Sequence, residues 1–309
     1  MKFGLLDLTD PRLPPLVPAS RAFYARRVAG RGPGSVEELR AVRAAAAAPE
    51  PSDPPAVVEL LHAGGRTVPA RLHVPAGGRA AGVLLDLHGG GFYLGSAAAD
   101  DVRNRRLADA LGIAVVSVDY RLAPEDPWPA APDDGETAAR WLAEHARHRF
   151  GTTTLSIAGF SAGATLAMTT LVRLRDRGIA AFGSAVLQCG TYDLSARTPA
   201  GRLIADEYFL EAYAGPAEDR TDPDVSPIYA DVTGLPPVLV VVGADDVLLE
   251  DNLAMAARLA AAGVDVDLRL YPASPHGFTR HATPMAAAAS DDIETWLAGH
   301  LTAGTDLAP

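Results

Sequence analysis

From residue 57 to the end of the chain, two hydrophobic periods take turns. Residues 57–62 and 68–74 mix apolar and polar positions in the manner of strands, with Gly64-Gly65 between them, which predicts a hairpin. Residues 82–87, 113–118, 155–158, 184–188 and 238–242 are short and almost wholly apolar, and 266–270 is one more strand-like run. A strand buried on both faces has no polar side to show, so such runs predict the interior of a parallel sheet. Between them lie stretches of helical composition at 100–111, 133–148, 162–176 and 250–262, with a last one at 285–300. Strand and helix in alternation predict an α/β fold, a parallel sheet with helices on both sides.

Two segments break this rhythm. Residues 1–50 carry helix formers at 19–29 and 35–48, parted by the breaker Gly30-Arg31-Gly32-Pro33-Gly34. Ser35, followed three residues later by Glu38, predicts a capping box. Proline-rich 49–55 reads as a linker. Residues 191–235 are polar, rich in Asp and Pro, and helical near 200–213. A long insertion between two central strands usually covers something. The expectation is one domain over 1–309, with a cap formed by about 1–50 and 191–235.

Composition narrows the function. Of 309 residues 48% are hydrophobic, enough for a large core. The 27 basic residues face 38 acidic ones, a net charge of −11. Such a surface repels phosphate backbones and anionic lipid, so nucleic acid is not an expected partner. The one cysteine, Cys189, excludes a disulfide within the chain, and no Cys/His cluster points to a metal. The apolar start of the chain is interrupted by Asp7 and Asp10, unlike a signal peptide, and no run nears the roughly 20 residues of a membrane span. No membrane insertion and a cytoplasmic location are expected.

Three motifs carry chemistry. Gly159-Phe160-Ser161-Ala162-Gly163 follows the run 155–158 and precedes the helical stretch 162–176, the setting of a nucleophile elbow. The turn is sharp, so its flanks must be small, and the serine is held strained with its hydroxyl exposed. His88-Gly89-Gly90-Gly91 follows the run 82–87. Glycines bring backbone N–H groups close to a ligand, and acyl transfer needs such donors for its tetrahedral oxyanion. Gly90 and Gly91 would join the N–H of Ala162 in that role; no Lys-Ser/Thr follows, against a nucleotide-binding loop. Finally, Gly243-Ala244-Asp245-Asp246 and His276 each follow a predicted strand, in the chain order Ser, acid, His of α/β-hydrolases. Those positions share the carboxyl rim of the sheet with Ser161, where open α/β sheets bind ligands. Either aspartate could be the acid on this reading. His281 lacks the post-strand turn and is assigned to the surface, as are His145 and His148. His88 reads as structural, and Cys189, at the end of a core strand, as inert.

Together these motifs resemble the hormone-sensitive lipase family of α/β-hydrolases, the family IV esterases. The likeness spans roughly 56–300 and rests on His88-Gly-Gly-Gly-Phe92, Val118-Asp-Tyr-Arg-Leu-Ala-Pro-Glu125, Pro129-Ala-Ala131, Gly159-Phe-Ser-Ala-Gly163 and Tyr271-Pro-Ala-Ser-Pro-His-Gly-Phe278. Asp246-Val-Leu-Leu-Glu-Asp-Asn252 resembles the family's Asp-Pro-Leu segment, whose leading Asp is the catalytic acid, so the resemblance selects Asp246 over Asp245. It implies an eight-stranded, mostly parallel sheet under a helical cap, hydrolysis of short- to medium-chain acyl esters without a cofactor, and homodimers through the last strand. Four positions depart from the family: Phe160 stands for Asp, Asp126 for His, Val247 for Pro and Ala164 for Gly.

The expected function is therefore a carboxylesterase: Ser161 the nucleophile, His276 the base, Asp246 the acid that orients it, and Gly90, Gly91 and Ala162 the oxyanion hole. Phe92 and Phe160 are candidate substrate contacts. Phe23, Tyr24, Tyr208, Phe209 and Tyr213 are candidates for either the pocket or the cap's own core. The residues from Asp119 to Glu125 read as braces for the glycine loop. Acyl transfer, lactone opening or elimination on the same fold stays open, because one acyl-enzyme can meet several nucleophiles. A non-catalytic binding protein is the remaining alternative.

Overall fold

In the computed structural model, which describes residues 9–27 and 31–301, the predicted hairpin forms. Strands β1 (Val57–Ala63) and β2 (Arg66–His73) pair antiparallel, from Val57 opposite Leu72 to Ala63 opposite Arg66. The apolar runs become β3 (Val83–Leu87), β4 (Ala114–Val118), β5 (Leu155–Phe160), β6 (Phe182–Gln188), β7 (Val238–Gly243) and β8 (Val266–Tyr271). All eight form one sheet in the order β1-β2-β4-β3-β5-β6-β7-β8, and from β4 onward every pair is parallel.

Alternation along each strand feeds two apolar layers. Leu85, Ile157, Leu187 and Val240 belong to one, with Leu142 of α4 (Ala130–Phe150), Leu166 of α5 (Ala162–Asp176) and Leu259 of α8 (Leu249–Ala261). Leu84, Ala158, Val186 and Leu239 belong to the other, with Leu107 of α3 (Asp101–Leu111) and Met285 of α9 (Pro284–Leu301). Fully burying one such Leu or Val is worth roughly 1.5–3 kcal/mol. Because the central strands run parallel, Leu87, Phe160, Gln188, Gly243 and Tyr271 all end on one rim, and the loops that follow them face one another.

Among the described residues, both segments outside the rhythm carry short helices. The first holds α1 (Val17–Tyr24) and α2 (Val36–Ala45); the second, after β6, holds α6 (Pro199–Arg202) and α7 (Tyr208–Ala214). Ser35 Oγ accepts the Glu38 N–H at 3.2 Å, while the Glu38 carboxylate reaches the N–H of Gly34, one residue before the predicted box partner. An ion pair of 2.8 Å from Arg31 to Asp206 joins the two segments. The expectations for the start of the chain and for Gly30 lie outside the described residues. Among the described residues no helix is long and apolar enough to cross a membrane.

Candidate active site

A single residue, Ser161, separates β5 from α5. Its φ of 52° is a sparsely populated backbone state for a residue with a Cβ, and it turns the side chain outward from the rim. The strain is held by hydrogen bonds: Ser161 N–H donates to Gln188 O at 2.8 Å, and Ala164 N–H donates to Ser161 O at 2.8 Å. The turn is so tight that a Cβ on Gly163 would lie 2.0 Å from Leu87 O. Only glycine fits there.

Ser161 Oγ lies 3.0 Å from His276 Nε2. His276 Nδ1 is 3.1 Å from each carboxylate oxygen of Asp246. Asp246 Oδ1 also accepts the Leu248 N–H at 2.8 Å, which fixes the carboxylate's orientation. The Asp246 side chain has no exposed surface, whereas its neighbour Asp245 is exposed. The loop carrying His276 is tied to α1, where Ser20 Oγ donates to Ala273 O at 2.5 Å.

The glycine turn after β3 curls on itself, with Gly90 O accepting the N–H groups of Tyr93 and Leu94 at 3.2 and 2.8 Å. Among the described residues, the N–H groups of Gly90, Gly91 and Ala162 donate to no protein acceptor. His88 lies beneath, stacked on Tyr120 at 4.1 Å between ring centroids, and Tyr120 Oη donates to His88 O at 2.8 Å. Burial pushes the His88 pKa down, so it stays neutral at neutral pH and serves as structure. The Asp119–Glu125 segment braces this turn as expected: Arg121 forks onto Asp134, and Arg43 of α2 reaches Glu125 and the carbonyls of Tyr93 and Ala123.

Ser161 and His276 open into a cleft of about 530 Å³, walled mainly by apolar groups such as Leu203, Ile204, Phe209 and Val247. Phe160 and Phe209 line it. Phe92 does not: its ring is fully buried and stacks on Tyr213 at 3.9 Å, so it supports the glycine turn from below. Phe23 and Tyr24 pack against His281. His281, assigned to the surface from sequence, instead lines the cleft and is 3.0 Å from Tyr24 Oη through Nδ1. His145 and His148 are exposed.

Three participants carried too little signal in the sequence. Arg280, between two histidines in a loop, borders the cleft. Asp251 lies in the first turn of α8, where acids suit the helix dipole, yet it is buried and accepts the N–H groups of Tyr192 and Asp193. Cys189 stands one residue past β6, fully buried, with its Sγ, an Asp246 oxygen and a His276 nitrogen all within 4.8 Å of one another. Burial, reinforced by the Asp246 charge, pushes its thiol well above the usual range, so no thiolate is available for chemistry.

Residues 84–280 match the family described as the alpha/beta hydrolase fold. The carboxylic ester hydrolase LipN of Mycobacterium tuberculosis is 34% identical over 254 residues, covering 76% of this chain and 68% of that protein. The ethyl acetate hydrolase of Pseudomonas putida is 32% identical over 293 residues, covering 86% and 92%. Among solved structures, the Pyrobaculum calidifontis esterase superposes with a TM-score of 0.71 at 31% identity, over 80% of this chain and 85% of that one. An esterase/lipase from an uncultured bacterium gives 0.75 at 28% identity, over 94% and 99%. With this likeness along most of its length, the chain belongs to the α/β-hydrolase fold family, as a serine carboxylesterase of the branch that resembles hormone-sensitive lipase.

Proposed function

We propose that Ser161, His276 and Asp246 form the catalytic triad of this carboxylesterase. The observation that carries the reading is the unbroken line of 3.0 and 3.1 Å contacts from hydroxyl to imidazole to buried carboxylate, at the floor of an apolar cleft. His276 takes the Ser161 proton as the hydroxyl attacks the ester carbonyl, then gives it to the leaving alcohol. Asp246 holds the Nδ1–H tautomer and stabilises the imidazolium. The Gly90, Gly91 and Ala162 N–H groups, with no acceptor among the described residues, would hold the oxyanion. Water then opens the acyl-enzyme with His276 again as base.

The substrates are short- to medium-chain acyl esters. An apolar wall suits an acyl chain, and two relatives carry small esters or acyl groups in their names, the ethyl acetate hydrolase and an acetyl-hydrolase of Streptomyces hygroscopicus. Residues 1–50 and 191–235 act as the cap; Arg31, Leu203, Ile204 and Phe209 from these segments border the cleft. Pairing of two copies through β8, which among the described residues has no strand partner beyond it, and a cytoplasmic setting complete the reading.

Rates on nitrophenyl esters of increasing acyl length test it. Turnover should peak at short or medium chains and vanish in Ser161→Ala, together with inactivation by a serine-directed phosphonate. Unchanged ester turnover in Ser161→Ala overturns the assignment.

A further inference from the structure

Phe160 stands where the family resemblance expects an aspartate, directly before Ser161. Its half-buried ring lies 6.0 Å from the His276 imidazole, centroid to centroid, with 30° between the planes. The guanidinium of Arg280 sits over the same ring, 4.4 Å from its centroid. Arg280 forks onto Asp100: Nη2 donates to Oδ2 at 3.0 Å and Nη1 donates to Oδ1. Asp100 is buried beside Arg103 as well, 3.5 Å away. Burial works against its charge, yet the two arginines hold its carboxyl below the ordinary carboxylate range.

Backbone grips the ring from two further directions. A Cβ on Gly89 would lie 2.4 Å from Phe160 Cδ1, and one on Gly277 would lie 3.5 Å from Cζ. The glycine turn and the residue after the histidine thus close around it, and the ring has little freedom to swing away.

We propose that Phe160, backed by Arg280 and Asp100, is a positioning residue that holds the His276 imidazole toward Ser161 and steadies the positive charge it gains in each half-reaction. The proposal rests on His276 being the base. An aromatic face attracts a cation placed over it, so the ring favours the imidazolium as well as the guanidinium. Asp100 neutralises Arg280, so the guanidinium clamps the ring without adding net charge near the histidine. Other groups facing His276 are Asp246 at Nδ1, Ser161 at Nε2 and the neutral Cys189 thiol, while His281 lies farther along the same loop. The family's aspartate would contribute a charge at this place; here the same place is filled by a clamped ring.

The test compares Phe160→Leu, Phe160→Tyr and Arg280→Gln on a short nitrophenyl ester, each with a full pH profile, and His276→Ala as control. Loss of alignment at the base should lower kcat in Phe160→Leu by roughly ten- to a hundredfold. KM should hold, and the acid limb of the profile should move to lower pH because the imidazolium has lost its partner. Phe160→Tyr, which keeps the aromatic face, should recover much of the rate lost in Phe160→Leu, and the Leu/Gln double variant should lose less than the product of the single losses. Wild-type kcat and acid limb in Phe160→Leu overturn the positioning role. So does a loss confined to KM that grows with acyl length, which would make Phe160 only a wall of the cleft. If His276→Ala keeps its turnover, the base assignment itself fails, and that outcome is distinct from both.

Discussion

Asp245 and Asp246 are adjacent in sequence and alike in charge, and the difference between them is burial. Asp245 is exposed, while Asp246 is sealed under the cleft with its carboxylate against His276 Nδ1. Asp246→Asn would present a donor where the imidazole needs an acceptor and favour the wrong tautomer. We expect a kcat loss of about 10³–10⁴-fold, with little change in Asp245→Asn. Comparable losses in both variants would remove Asp246 from the triad. Local motifs made Ser161 legible, because a strand, two glycines and a helix lie within a few residues of it. The choice between the aspartates was not legible from the turn alone; it came through the family likeness. Cys189 was legible as a buried thiol but not as a neighbour of the acid and the histidine, because both lie more than 50 residues further along the chain. With its pKa raised by burial and by Asp246, native enzyme should resist iodoacetamide at neutral pH and label stoichiometrically only once unfolded. Rapid labelling of the native state with loss of activity would contradict that environment.

At the scale of elements, the buried runs were the readable part. Five strands, β3 to β7, stand where the almost wholly apolar runs lie, since a strand covered on both faces has no polar side to show, while β1, β2 and β8 stand where the mixed runs lie. Ends were less readable. Helix α4 begins at Ala130 rather than 133, with Pro132 in its first turn, where a missing N–H costs no helical bond. Links between elements were not readable, and Asp251 is the clearest case. From α8 it holds the Tyr192–Asp193 backbone of the loop after β6, yet among the described residues Oδ1 has no hydrogen-bond partner and no cation pairs with the group. Burial, with the nearby Asp193 and Glu250 charges, raises its pKa to about 6 against the donated N–H groups. A carboxyl raised in the fold binds more protons there than in the unfolded chain. Its contribution therefore destabilises fully above about pH 6 and is relieved as pH falls toward 3.8. Asp251→Asn keeps an oxygen for both N–H groups and removes the charge. It should raise the melting temperature at pH 8, by at most roughly 3 kcal/mol of stability, and lose that advantage near pH 4. A variant less stable than wild type at pH 8 would show that the charge itself is needed.

Across the whole molecule, the catalytic rim depends on a helix that precedes the sheet by sequence and lies outside its core rhythm. Residues 1–50 and 191–235 were legible as departures from β/α alternation, but nothing in their composition says which side chains bind them to the rest. Much of that coupling passes through Arg43 near the end of α2. Its guanidinium donates to Tyr93 O at 2.8 Å, to Ala123 O at 2.6 Å and to the Glu125 carboxylate. Tyr93 and Ala123 are buried, and Tyr93 N–H closes the turn onto Gly90 O, so one side chain connects the first segment to the loop that presents the Gly90 and Gly91 N–H groups. Truncation in Arg43→Ala leaves two buried carbonyls without that donor, a cost of roughly 1–3 kcal/mol each when water cannot replace it. The Glu125 pair adds little, since that carboxylate is more than half exposed. We expect Arg43→Ala to melt at lower temperature and to lose kcat with KM nearly unchanged, because in the proposed mechanism a loosened glycine turn affects the oxyanion more than the bound ester. Arg43→Lys should not restore either property, as an ammonium cannot fork across two carbonyls and a carboxylate at once. Glu125→Gln should stay close to wild type. If Glu125→Gln proves as damaging as Arg43→Ala, the ion pair rather than the carbonyl clamp couples the helix to the glycine turn.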